Sequence, residues 1–161
     1  MLTVQSLLDE LDLELAAGAD AAAAPVRWVH ISELADPTPW LSGGELMLTT
    51  GIPLDSAAKQ RAFIRILADR NLAGLGFGTG FNHKSLPKAL VDEAEKHEFP
   101  LFEVPYSTPF IAITEKAFAR LVNEHFLHGV GGYTPASERA AGGRNRALEG
   151  SQTRHGEVGR G

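Results

Sequence analysis

Apolar positions along the chain follow two periods in alternation. The segment 26–32 and the run 45–49 are short and rich in β-branched, aromatic or aliphatic residues, as strands are. Residues 45–49 are almost continuously apolar, the pattern of a strand covered on both faces. Between and after them the spacing turns helical. Val4, Leu7, Leu8 and Leu11 form one stripe behind a candidate N-cap at Thr3, and the Ala-rich stretch to Ala24 reads as a link to the first strand. Phe63, Ile66 and Leu67 form a second stripe, capped by Asp55 or Ser56, with Lys59, Arg61, Arg65 and Asp69 facing water. Residues 72–77 predict a third strand, Leu86, Leu90 and Ala94 a helix after Ser85, and residues 100–104 a fourth strand. Asp36-Pro37-Thr38-Pro39 predicts a single capped turn.

Strand and helix in this order imply right-handed crossovers and an α/β fold, with a mostly parallel sheet of about four strands flanked by helices. A long C-terminal helix is expected from Thr108 to about His128. Its apolar positions, among them Phe110, Ile111, Phe118, Leu121, Val122 and Phe126, cover more than half the helical circumference, beyond the stripe of an ordinary surface helix. Either the helix is fully buried, or one side covers the sheet and the other meets a partner helix in a homodimer or a further domain.

The composition narrows the function classes. The chain has 161 residues, enough for one sizeable core, and no cysteine, which excludes disulfides, Cys-ligated zinc and thiol nucleophiles. The acidic, leucine-containing N-terminus lacks the basic start and apolar core of a signal peptide. No run approaches the ~18 apolar residues of a membrane span, so a cytoplasmic protein is expected. From Gly129 onward five arginines face three glutamates, giving +2, and the overall −5 leaves −7 for residues 1–128. An acidic body repels phosphate backbones, which argues against direct DNA binding. The 129–161 tail is rich in Gly, Ser, Ala and Arg and has few large apolar residues, so it is expected to be disordered. It is a solvated tail or, less in keeping with its few arginines, an RGG-like nucleic-acid segment.

In an open parallel sheet, ligands bind beyond the carboxyl ends of the strands. Those ends carry Glu33 and Asp36, then Thr49, Thr50 and Gly51, then Gly78, Thr79 and Gly80, and finally Tyr106 and Ser107. Hydroxyls, backbone amides and one tyrosine suit a small polar molecule. The plainer account is that Thr and Gly end strands and begin turns. The run GLGFGTG at 74–80 lacks the spacing of a dinucleotide fingerprint, because its glycines alternate within and just past a strand. Glycine at period two instead bares one strand face for close approach. The pair His125 and His128 has ligand-like spacing, but only Glu124 stands near as a third ligand, so no metal site is expected. His30 reads as a half-buried strand histidine, and Glu93 with His97 as an i,i+4 pair. No acid and base converge, so no catalytic residue is expected; Glu33, Asp36, His30 and Glu45 are too scattered for a hydrolase or transferase. No cofactor motif is present.

Four blocks in order carry a family resemblance: LTVQSLL at 2–8, VRWVHISELADPTPWLSGGELMLTTG at 26–51, AGLGFGTG at 73–80 and PLFEVPYSTPFIAITE at 100–115. Over residues 1 to about 124 the chain resembles the N-terminal domain of the purine catabolism regulator (PucR) family. The resemblance implies an input domain, not an enzyme, that senses a small-molecule effector for a bacterial transcription regulator, with purine breakdown products as the first guess. Members of that family continue into a central domain and a helix-turn-helix, whereas this chain runs into the Gly/Arg tail. A fragment, a truncated product and a stand-alone sensor are the alternatives, and in each the chain by itself is expected not to bind operator DNA. A ligand-free dimerisation or protein-interaction module is the competing reading, supported by the wide apolar arc of the last helix.

Overall fold

The computed structural model describes residues 1–129, with side chains as far as residue 124. Residues 130–161 of the expected disordered tail, and the side chains of His125, Phe126 and His128, lie outside the described residues. The chain divides into two compact units, Met1–Leu121 and Val122–Gly161.

In the first unit the elements run α1 (Val4–Leu11), β1 (Leu15–Ala17), β2 (Trp28–Ile31), β3 (Glu45–Thr49), α2 (Ala57–Asp69), β4 (Gly74–Gly78), α3 (Lys88–Lys96) and β5 (Leu101–Val104), followed by α4 (Phe110–Gly129). Single 3₁₀ turns occupy Ala19–Ala21 and Thr38–Trp40. The sheet order is β1-β5-β4-β3-β2, parallel throughout except at β1, which pairs antiparallel with β5. The α/β class and the mostly parallel sheet agree with the sequence, but the count of about four strands is corrected to five. The Ala-rich link conceals β1, whose pairing of Leu15 with Phe102 depends on a segment far along the chain.

Each face of the sheet has its own core. On one, Val4, Leu7 and Leu8 of α1 and Ile113 and Ala117 of α4 pack with Val29, Leu46, Leu48, Phe102 and Val104. On the other, Phe63, Ile64 and Leu67 of α2 and Leu90 and Ala94 of α3 pack with Met47, Leu75, Phe77 and Leu101. Every residue of β3 and β4 is buried, as expected for central strands under helices on both sides. Each fully buried Leu or Phe contributes about 1.5–3 kcal/mol.

The alternating glycines of β4 do what their period predicts. A Cβ on Gly76 would lie 2.6 Å from Leu48 Cδ2 and 2.7 Å from Phe102 Cζ, and one on Gly78 would lie 2.9 Å from Phe110 Cζ. The bare face lets Phe102 of β5 and Phe110 of α4 pack directly on the strand.

Local signals set most boundaries. Thr3 Oγ1 accepts the Ser6 N–H at 3.0 Å and the Thr3 N–H donates to Ser6 Oγ at 2.9 Å, a reciprocal capping box. Ser56, rather than Asp55, caps α2 by accepting the Lys59 N–H at 3.2 Å, while Asp55 pairs with Lys59 Nζ at 2.8 Å. Helix α3 begins at Lys88, later than expected, because Pro87 stands at its N-cap.

Helix α4 covers Phe110–Gly129, close to the expected span from Thr108 to about His128, and beyond Glu124 it is not long, adding little more than a turn. The apolar positions that fasten it, Ile113 and Ala117, sit in its first turns.

Candidate functional site

Parallel register brings the carboxyl ends of β3, β4 and β5 to one edge, since Thr49 pairs with Phe77 and Gly78 with Val104. The segments after them, and the one after β2, form a rim. Its centre is Glu33. Glu33 Oε1 accepts the Thr50 N–H at 2.7 Å and Oε2 accepts the same N–H at 3.0 Å. Thr49 Oγ1 donates to Oε1 and Thr50 Oγ1 to Oε2. Two hydroxyls and a backbone amide thus form a carboxylate cradle, and the chain's own Glu33 lies in it.

Neighbouring rim groups are paired in the same way. The Gly51 N–H donates to Thr49 Oγ1 at 3.2 Å. Gly51 has φ +75, a left-handed backbone that suits glycine. Its carbonyl oxygen lies 3.0 Å from His83 Nε2, and the His83 ring meets the Phe77 ring edge-on at 5.3 Å. Thr79 is buried and donates to Glu103 Oε1 at 2.7 Å. The Gly80 N–H donates to the His83 carbonyl at 2.8 Å, closing a tight turn that carries Phe81. Phe81 and Tyr106, both exposed, meet with ring centroids 5.2 Å apart, above Gly80.

The rim candidates therefore divide into groups. Glu33, Thr49, Thr50 and Gly51 form one hydrogen-bonded cluster. Thr79 is tied to Glu103, and Gly80 lies beneath Tyr106, with exposed Ser107 beside it. Gly78 serves packing, since Phe110 covers it. Asp36 is linked to none of these by a hydrogen bond. Its carboxylate accepts the Thr38 N–H at 3.0 Å and the Thr38 hydroxyl, and those bonds hold its pKa below the ordinary value. It serves its own turn. His83, Phe81 and Glu103 were not legible as rim residues, because a turn and two strand registers place them there.

Of the interface candidates on α4, Phe110 and Leu121 are half-buried against the first core, while Ile111 and Phe118 are exposed. Phe118 meets Trp28 of β2, centroids 4.9 Å apart and planes tilted by 35°. Val122 begins the second unit. Among the described residues no group of His, Asp and Glu has a metal-binding arrangement, and no helix is long and apolar enough to cross a membrane.

The model of the purine catabolism regulatory protein-like family (PucR) matches residues 2–121. The transcriptional activator PmfR of Paenarthrobacter nicotinovorans is 37% identical over 119 residues, 70% of this chain and 25% of that protein. The purine catabolism regulatory protein of Bacillus subtilis (strain 168) is 32% identical over 92 residues, 56% of this chain and 17% of that protein. The chain thus spans a quarter or less of each of these relatives.

Proposed function

This chain belongs to the purine catabolism regulatory protein-like family, whose relatives are transcriptional regulators, and we propose that its regulatory role is to sense a small metabolite. The observation that carries this reading is the carboxylate cradle of Thr49 and Thr50, filled by Glu33. Bonds between a side chain and a surface rim are exchangeable. An effector with a carboxylate or ureide oxygen takes the place of Glu33, contacts Tyr106 and Ser107, and frees the segment that leads from β2 to β3. To act as a switch it must favour the displaced state by a few kcal/mol. Purine catabolites are the first class to test, in keeping with the name of the Bacillus subtilis relative. In this reading the protein works in the cytoplasm, as a homodimer, without enzymatic activity of its own, and its acidic body leaves operator DNA to other parts of a regulator.

The test is thermal unfolding of the full chain against purine catabolites, amino acids and sugar acids, with the mass from light scattering taken alongside. A true effector at a hundredfold excess over its Kd adds about 2.7 kcal/mol and raises Tm in a dose-dependent way. Joint Thr49→Val and Thr50→Val substitution removes that rise. No rise from any compound, together with a stable dimer, overturns the reading in favour of a ligand-free interaction module. That second reading draws on the exposed Ile111 and Phe118 of α4.

A further inference from the structure

Whereas the rim pairs its polar groups internally, a cavity at the edge of the sheet leaves the His30 ring and part of the Arg27 guanidinium without a protein hydrogen bond among the described residues. Arg27, Trp28, His30, Trp40, Ser42 and Glu45 line a cleft of about 320 Å³ beside β2, all from one continuous segment. We propose that this cleft binds a planar, uncharged heterocycle bearing a ring carbonyl. The site is separate from the rim, and the proposal stands whether or not the rim takes an effector.

Four features carry it. Trp28 and Trp40 are 54% and 69% exposed, so the Trp40 indole and the part of Trp28 that Phe118 does not meet offer surfaces on which a flat ring can stack. Arg27, though its side chain is 63% exposed, reaches two partners. Its Nη2 donates to Ser42 Oγ and lies 3.5 Å from Glu45 Oε1, while Glu45, only 4% exposed, is fixed by the Ser42 N–H at 2.9 Å. The remaining guanidinium N–H groups have no protein partner among the described residues, and a planar fork suits a carbonyl oxygen in the ring plane. The His30 ring likewise makes no protein hydrogen bond among the described residues, and it can donate or accept according to its tautomer.

Size and charge narrow the class. The volume is at the low end of the roughly 300–1,000 Å³ of small-molecule sites, which fits one or two fused rings and excludes a dinucleotide. Arg27 is already balanced by Glu45 within an acidic body, so a neutral ring is favoured over an anion. The tilted ring contact of Trp28 with Phe118 links the cleft to α4, so a ring bound against Trp28 bears on that helix.

Trp28 and Trp40 are the two tryptophans of the chain, so its tryptophan fluorescence reports on this cleft. The experiment titrates the full chain with hypoxanthine under selective tryptophan excitation, with calorimetry as a second measure of Kd. The expected result is saturable quenching. Trp40→Leu, at an exposed position, weakens binding about tenfold, in line with the loss of one stacking face. Trp40→Phe restores most of the affinity, and Arg27→Gln weakens binding with circular dichroism unchanged. Linear quenching that never saturates, with the same slope in Trp40→Leu, overturns the proposal. So does a concentration-dependent blue shift without any response to hypoxanthine, which would assign the cleft to an interface between copies. A carboxylate-induced rise in Tm that survives Trp40→Leu tests the rim alone, so the two sites can fail independently.

Discussion

Both carboxylate oxygens of Glu33 share the backbone N–H of Thr50, at 2.7 Å and 3.0 Å, across seventeen positions of sequence. The clasp ties the segment leaving β2 to the end of β3. Glu33→Ala leaves the Thr50 amide and two hydroxyls without their acceptor, and a loss of about 1–3 kcal/mol is expected. Glu33→Gln keeps one acceptor oxygen and loses less. Urea unfolding measures both, and an unchanged midpoint in Glu33→Ala would show that the clasp does not form in solution.

Phe102 and Leu48 leave no room for a methyl group at Gly76, and Phe110 leaves little at Gly78. Gly76→Ala is therefore expected to destabilise the domain by about 1–3 kcal/mol through overpacking. Combining it with Phe102→Leu should recover part of the loss. Calorimetric Tm values for the single and double variants decide the matter, and independent, additive effects would count against direct contact.

Glu93 joins the two helices on one face of the sheet. Its Oε1 accepts from Arg65 Nε at 2.9 Å and lies 2.9 Å from His97 Nε2. The Arg65 bond foremost, with help from His97, holds the carboxyl below the ordinary glutamate pKa against the opposing effect of burial. Folded Glu93 thus binds its proton less readily than unfolded Glu93. Its contribution to stability is complete above the unfolded pKa and is lost as the pH falls through the lowered folded value. Glu93→Gln should cost stability at neutral pH, and the gap from wild type should close on acidification below the ordinary carboxylate range. A gap that stays constant across that range in denaturant titrations would refute the linkage.

Thr3 and Ser6 cap α1 reciprocally, and α1 packs on the same core as the start of α4. Thr3→Ala is expected to cost about 1 kcal/mol. Thr3→Ser should be nearly silent, since it keeps the accepting oxygen. Equal losses in both variants would mean that the methyl group, not the cap, matters.

The sequence by itself was enough for the α/β class, the four parallel strands and the packing role of the alternating glycines. Each is written in short-range pattern: an apolar run at 45–49, caps at Thr3 and at Asp55 or Ser56, a glycine at every second position of β4. The family was equally legible, in four blocks that all lie within the residues 2–121 matched by the family's model. Strand ends were legible as a place, and Glu33, Thr49 and Thr50 all stand at or just past the ends of β2 and β3. The tertiary structure alone decided what they do there. The Thr49 and Thr50 hydroxyls, which on sequence look open, both donate to the carboxylate of Glu33, sixteen and seventeen positions upstream. Strand β1 was hidden for a related reason: three residues gain strand geometry only from pairing with β5. The cleft was hidden too, since Trp28, His30 and Trp40 face one cavity only after β2 takes the sheet edge and the 38–45 segment folds back beside it. Local pattern encodes how a segment buries its apolar side chains, whereas the pairing of polar groups depends on which distant segment arrives within hydrogen-bond reach.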